Sequence, residues 1–189
     1  GITLNGSDVS QWADSSTNGY DMVQATATEQ PAYSAGVLTF VSADSNNLQT
    51  TGQVSLSGDF TLGIVFNPSI SAPGTILGDN TTSNEFIKYT STTNFRIKMD
   101  GTIANIPLDS GTFGDDYIVV TRVSNVLTLY KDGVAQSTTP TLAGTADIDA
   151  IGVRSSDQDF LDGAIKEIQI YNSSSAGLTA NVNDRLATL

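Results

Sequence analysis

Cysteine and histidine are both absent from the 189 residues. Without thiols, disulfides and thiolate metal sites are excluded; without imidazole, so are Ser-His-Asp and Cys-His triads and the ordinary His/Cys zinc sites. Carboxylate chemistry and oxygen-ligated cations remain. Positive charge is also scarce. Eight Lys and Arg face 20 Asp and Glu, a net charge of −12 with pI near 4.1. Such a chain repels a nucleic-acid backbone and an anionic membrane surface, so neither is expected as a partner. No run of about 18 apolar residues is present, so no spanning helix is expected. The first residues lack the basic stretch and apolar run of a signal peptide.

What the chain does have is turn and strand chemistry. Asp far outnumbers Glu, and Ser, Thr, Asn and Gly are abundant, a composition suited to turns and sheet surfaces. In "FTLGIVF", Phe60, Leu62, Ile64 and Phe66 fall on one face of a strand while Thr61, Gly63 and Val65 fall on the other. Related alternation starts at Phe86, Phe95, Tyr117, Val126, Ile148 and Ala164. About a dozen short strands are expected, spaced as in an all-β sandwich or barrel. Asp100-Gly101, Asp132-Gly133 and Ser124-Asn125 are placed to supply the positive φ angles of tight hairpins. One helix is expected at the end, where Leu178, Val182, Leu186 and Leu189 recur at helical spacing and Thr179 offers an N-cap. It would form a short lid on the sandwich. With no linker or repeat, residues 1–189 read as a single domain.

Three segments carry a family resemblance. "VSQWADSSTNGYDMVQATATEQPAY" (9–33) is similar to an opening W-x-D-x-S-G-N-G, with Ser16-Thr17 in place of the usual Ser-Gly. "YIVVTRVSNVLTLYKDG" (117–133) looks like a V-T-R … L-x-L-Y-x-D-G hairpin pair. "IGVRSSDQDFLDGAIKEIQIYNSSSAGLT" (151–179) matches I-G … F-x-G-x-I-x-E-I-x-I-Y-N … L-T/S. Their order resembles the concanavalin A-like lectin/glucanase superfamily, in its laminin-G-like and pentraxin-like branch common in bacterial surface and phage proteins. The resemblance implies a jelly-roll β-sandwich of two antiparallel sheets with loops at the rim. Members usually open with an apolar strand before the tryptophan segment, whereas this chain opens at "GITLNGSDVSQW". The expectation is therefore the C-terminal part of a longer chain, or an edge completed by a neighbour.

The superfamily's glucanases carry E-x-D-x-E on one strand, because a retaining glycosidase needs two carboxyl groups about 5 Å apart. Among the three glutamates, Glu29, Glu85 and Glu167, the nearest imitation is Glu167-Ile168-Gln169-Ile170-Tyr171, which lacks the second and third acids. Asp147 and Asp149 share a strand face and read as solvated. No catalytic residues are expected. The resemblance also implies a calcium site at the rim, for which the oxygen-rich loops "GDNTTSN" and "RSSDQD" offer Asp79, Asn80, Asp157 and Asp159. These four, with Asn84 and Tyr20, are the expected ligand-binding residues. Trp12, the single tryptophan, is expected to pack on the sandwich, leaving Tyr20, Tyr33 and Tyr89 freer.

The expected function is a non-catalytic recognition or adhesion module for a polysaccharide or cell-surface glycan. Its expected place is extracellular or on a virion surface, in a phage fibre, spike or head-decoration protein. A purely structural assembly or capsid-decoration subunit, in contact with other virion subunits or its own copies as a homo-oligomer, is the alternative. A glycoside hydrolase is the distant third.

Overall fold

The computed structural model describes residues 1–69, 73–81 and 84–189. Its strands are, in chain order, β1 (Ile2–Asn5), β2 (Asp8–Trp12), β3 (Met22–Val23), β4 (Ala32–Ser34), β5 (Val37–Phe40) and β6 (Leu48–Leu56). Then follow β7 (Phe60–Pro68), β8 (Gly74–Gly78), β9 (Phe86–Ser91), β10 (Asn94–Met99) and β11 (Thr102–Pro107). The chain continues with β12 (Asp116–Val123), β13 (Val126–Lys131), β14 (Val134–Ala135), β15 (Ala146–Ile151), β16 (Gly163–Tyr171) and the helix α1 (Ala176–Leu186).

All pairings are antiparallel, and they run β11-β10-β9-β8-β15-β6-β3 along one layer and β5-β16-β7-β12-β13-β14 along the other. The layers are joined around one edge by β2 and β4, with β1 on β2. This is the expected sandwich. Phe60, Leu62, Ile64 and Phe66 of β7 meet Phe95, Ile97 and Met99 of β10 in one continuous core. Phe66 and Phe95 each tilt against Phe113, with ring centroids 5.7 and 6.1 Å apart, a separation that suits aromatic pairs.

The three hairpin tips are as expected. Asp100-Gly101, Ser124-Asn125 and Asp132-Gly133 all have positive φ at both positions, which a two-residue turn requires if it is to match the strands' right-handed twist. The helix also forms, but its N-cap is Ser175, whose Oγ accepts from the Leu178 N–H at 3.1 Å. Thr179 lies inside the helix and turns its hydroxyl to the Ser175 carbonyl. The helix seats Val182 and Leu186 on Val65 and Val119, the outer face of β7 and β12. Gly63 permits this approach, since a Cβ there would lie 2.5 Å from Val182 Cγ1.

In β16, strict alternation would set Ile165 on the opposite face from Ile168 and Ile170. A bulge between Ile165 and Glu167 absorbs one residue, so all three isoleucines turn to the core. Glu167, Gln169 and Tyr171 then share the other side.

Candidate functional site

The two oxygen-rich loops meet at one rim, where they interlock. Asn80 Nδ2 donates to Asp157 Oδ1 at 3.2 Å, and the Asp157 N–H returns a longer bond to Asn80 Oδ1. Arg154 donates from Nη1 to Asn84 Oδ1 and from Nε to Asp159 Oδ2, both at 2.8 Å. Asp159 also receives the Lys88 ammonium. Burial pushes the Asp159 carboxyl up, but the hydrogen bonds from Lys88 and Arg154 outweigh it and hold the group below the usual range. Asp79 is fully buried and accepts from the Thr81 N–H at 3.0 Å.

Asp149, read from sequence as solvated, is 2% exposed and accepts from the Asn80 N–H at 2.7 Å and from the Thr81 hydroxyl. The burial arises because the loop after β8 folds over this carboxylate, with Asn80 and Thr81 both donating to it, whereas Asp147 on the same strand stays half-buried. Asn84, Asp157 and Asp159 all adopt positive φ, a conformation their short polar side chains tolerate. Among the described residues no group of three or more acids is placed to hold a metal ion. Calcium would have to displace both Lys88 and Arg154 to use Asp159, so this arrangement does not fit the oxygen shell it takes.

Tyr20 lies apart from that rim. With Trp12 it lines a groove of about 930 Å³ between the 13–21 loop and β16. The loop is drawn tight by Asp14. Its carboxylate accepts from the Ser16 N–H at 2.8 Å, the Ser16 hydroxyl at 2.7 Å and the Tyr20 N–H at 3.1 Å, and the Ser16 bonds above all hold it below the usual carboxylate range. Asp21 closes the base of the loop by accepting from the Asp14 N–H and from Gln11. Tyr20 rests on β6 at Gly52, where a Cβ would come within 3.3 Å of its ring.

The facing wall is β16. Its partner β5 pairs only with Gly163–Ile165, so among the described residues the rest of β16 has no strand neighbour on that side. Ile168 and Ile170, which pack on the core, are for that reason only partly buried. At the lip, Arg185 Nη2 donates to Glu167 Oε2 at 2.7 Å, and Tyr171 Oη donates to Gln169 Oε1 at 3.2 Å. Burial raises the Glu167 carboxyl, yet the bonds from Arg185 and Gln169 prevail and lower it. Both shifted acids of the groove, Asp14 and Glu167, are thus held ionised. A general acid for glycoside cleavage needs the opposite shift.

Sequence reasoning assigned Trp12 to packing, and the structure gives it two roles: it packs against the core and remains part of the groove wall. Tyr89, read as free, is 1% exposed, because it faces inward from β9 against Phe66. Asp14, Gln169 and Tyr171 were not singled out for binding. For Asp14 a signal existed, in that Asp followed by Ser at the second position is an Asx-turn pattern.

A family model described as concanavalin A-like lectin/glucanases superfamily, of laminin-G type, matches residues 41–176. No curated protein matches the sequence. The heptameric SAP-like pentraxin of Limulus polyphemus aligns with TM-score 0.57 at 11% identity, over 72% of this chain and 73% of that one. Domain 4 of AbnA, a GH43 extracellular arabinanase from Geobacillus stearothermophilus solved with arabinotriose, aligns at 0.54 and 15% identity over 88% and 81%. Domains LG4-5 of the mouse laminin α1 chain align at 0.50 and 12%, over 76% of this chain but 44% of theirs. Likeness at these identities establishes the shared fold.

Proposed function

The chain belongs to the concanavalin A-like lectin/glucanases superfamily, and from that premise we propose that it is a non-catalytic glycan-recognition module acting outside the cell. The observation that carries this is the groove itself: two aromatic side chains, Trp12 and Tyr20, stand among Ser, Asn and Gln side chains, with no acid poised to donate a proton. Aromatic faces stack on the C–H faces of sugars, while short polar groups satisfy hydroxyls. A relative of the same fold solved with arabinotriose is consistent with this use of the scaffold. The setting we propose is a virion or cell-surface appendage, on the strength of the sequence resemblance alone.

Because Trp12 is the only tryptophan, its emission reports directly on the groove. A glycan panel is screened with and without calcium, and hits are titrated by Trp12 fluorescence. A saturable change that weakens at least tenfold in Tyr20→Ala, but persists in Asn80→Ala, supports the proposal. Silence across neutral and charged glycans overturns it.

The unpaired portion of β16 favours a second reading, an assembly or decoration subunit that docks a neighbouring strand there. Concentration-dependent association in sedimentation, without any glycan response, would select it.

A further inference from the structure

The outer face of β9, β10 and β11 reverses the charge of the molecule. Cross-strand register places Arg96 opposite Lys88 on one side and Asn105 on the other, with Lys98 next along the same face. The positions of these strands that point away from the core are therefore Phe86, Lys88 and Thr90, then Asn94, Arg96 and Lys98, then Ile103, Asn105 and Pro107, with Phe86 and Lys88 themselves buried at one end of the face. Three are cations and none is an acid, in a chain carrying 20 acids and 8 cations.

Arg154 adds a fourth cation, since its guanidinium and the Lys88 ammonium both lie over the Phe86 ring, at 5.6 and 4.7 Å from its centroid. Four of the eight cations thus gather at one place. Asp159 answers two of them, Lys88 and Arg154. Arg96 and Lys98 are partly exposed and make no ion pair among the described residues. The neighbouring Asp100 turns its carboxylate to the Thr145 N–H instead.

Like charges directly opposite on a sheet repel and are kept at a cost. Here they are also held in order. Arg96 Nε donates to Asn105 Oδ1 at 2.7 Å, a bond that does not use its terminal N–H groups, and Asn94 Nδ2 donates to Thr90 Oγ1 at 2.7 Å. The result is a row of amides and a hydroxyl beside two cations about 7 Å apart along the strand.

We infer that this face binds an acidic polysaccharide, its carboxylate or sulfate groups meeting Arg96 and Lys98 and its hydroxyls meeting Asn94 and Asn105. Arg offers a planar fork for such anions. A duplex nucleic acid is stiff and carries a charge every ~1.7 Å, so it would be held against the acidic remainder of the surface, whereas a single polysaccharide chain can bend away beyond the strip. The site is separate from the Trp12 groove and stands or falls independently of it.

The test is affinity electrophoresis and calorimetry of the full chain with polygalacturonate, dextran sulfate, neutral dextran and duplex DNA. Retardation by one or both acidic polymers but not by dextran or DNA is expected. The affinity should fall about tenfold between low and physiological salt, as screening predicts for exposed charges. Arg96→Gln with Lys98→Gln should lower it tenfold or more, while Val134→Ser, an exposed position on β14 of the other layer, leaves it unchanged; the two substituted positions are exposed enough that the fold survives, which circular dichroism verifies. Carboxylate and sulfate arms identify the preferred anion. Absence of binding to both acidic polymers at low salt, equal binding to DNA, or binding indifferent to the double substitution overturns the inference.

Discussion

Arg122 donates from Nη1 to the Gly144 carbonyl at 2.7 Å while itself only 1% exposed. Nε reaches the Gly58 carbonyl at 2.5 Å, the Met99 sulfur stands 2.9 Å from Nη1, and the Phe60 ring lies beneath the guanidinium. Among the described residues no carboxylate is hydrogen-bonded to this cation, although the Asp59 charge acts on it; backbone carbonyls from the 58 and 144 turns surround it. Burial accordingly lowers its pKa, though it stays charged at neutral pH. One side chain thereby ties two turns to the end of β12.

Arg122→Leu removes those donors and leaves carbonyls unpaired in the interior. An orphaned buried acceptor costs about 1–3 kcal/mol, and more than one is created here, so the loss should be about 3–5 kcal/mol. Arg122→Lys keeps the charge but not the fork, and should cost about 2 kcal/mol. Urea unfolding checks both: the midpoint should drop in the order wild type, Lys, Leu.

Gly63→Ala should loosen α1. The new Cβ would lie 2.5 Å from Val182 Cγ1 and 3.0 Å from Leu186 Cδ1. Overpacking of this kind costs about 1–3 kcal/mol. Amide exchange should accelerate in 176–186 and leave β9 and β10 unaffected.

Tyr89 makes stability fall at high pH. Burial, reinforced by the Asp162 charge, pushes its phenol up to about 12 from 10.0. A group whose folded pKa is raised stabilises fully below the unfolded value and loses that contribution as pH climbs through the folded one. Unfolding free energy should therefore decline between pH 10 and 12, and Tyr89→Phe should flatten the decline. Tyrosinate absorbance should reveal late-titrating phenols, since burial also raises Tyr117, and one of them should be missing in the variant.

Asp159 acts in the opposite direction. Its lowered carboxyl stabilises above the unfolded value of 3.8 and loses the contribution as pH falls through the folded one. Asp159→Asn leaves Lys88, which is almost wholly buried, without its partner. The cost should be about 2 kcal/mol at pH 7, between a surface pair and a fully buried one, and should shrink below pH 4. Denaturation at the two pH values decides this.

Strand positions, hairpin tips and the helix were legible in the order of residues because each is a local matter. Side chains alternate with period two, and Asp-Gly or Ser-Asn can take the positive φ of a tight turn. The phase of β16 was not legible: the bulge before Glu167 is set by the need to bury Ile165 together with Ile168 and Ile170, which only the opposing layer imposes. Similarly, Asp79, Asn80, Asn84, Asp157 and Asp159 could be chosen by chemistry, and the fold does bring them to one rim. Lys88, which reaches Asp159 from β9, could not be foreseen, and together with Arg154 of the same loop it turns that rim into an ion-paired network.

The amino-acid order by itself determined which chemistries are impossible here and that the chain would build an all-β sandwich or barrel, since both follow from residue type and local spacing. Only the tertiary structure decided which surfaces could bind. A groove needs the 13–21 loop to stand off an unpaired stretch of β16, and a cationic face needs three strands in register. Both relations join residues distant in sequence, through contacts that no local pattern encodes.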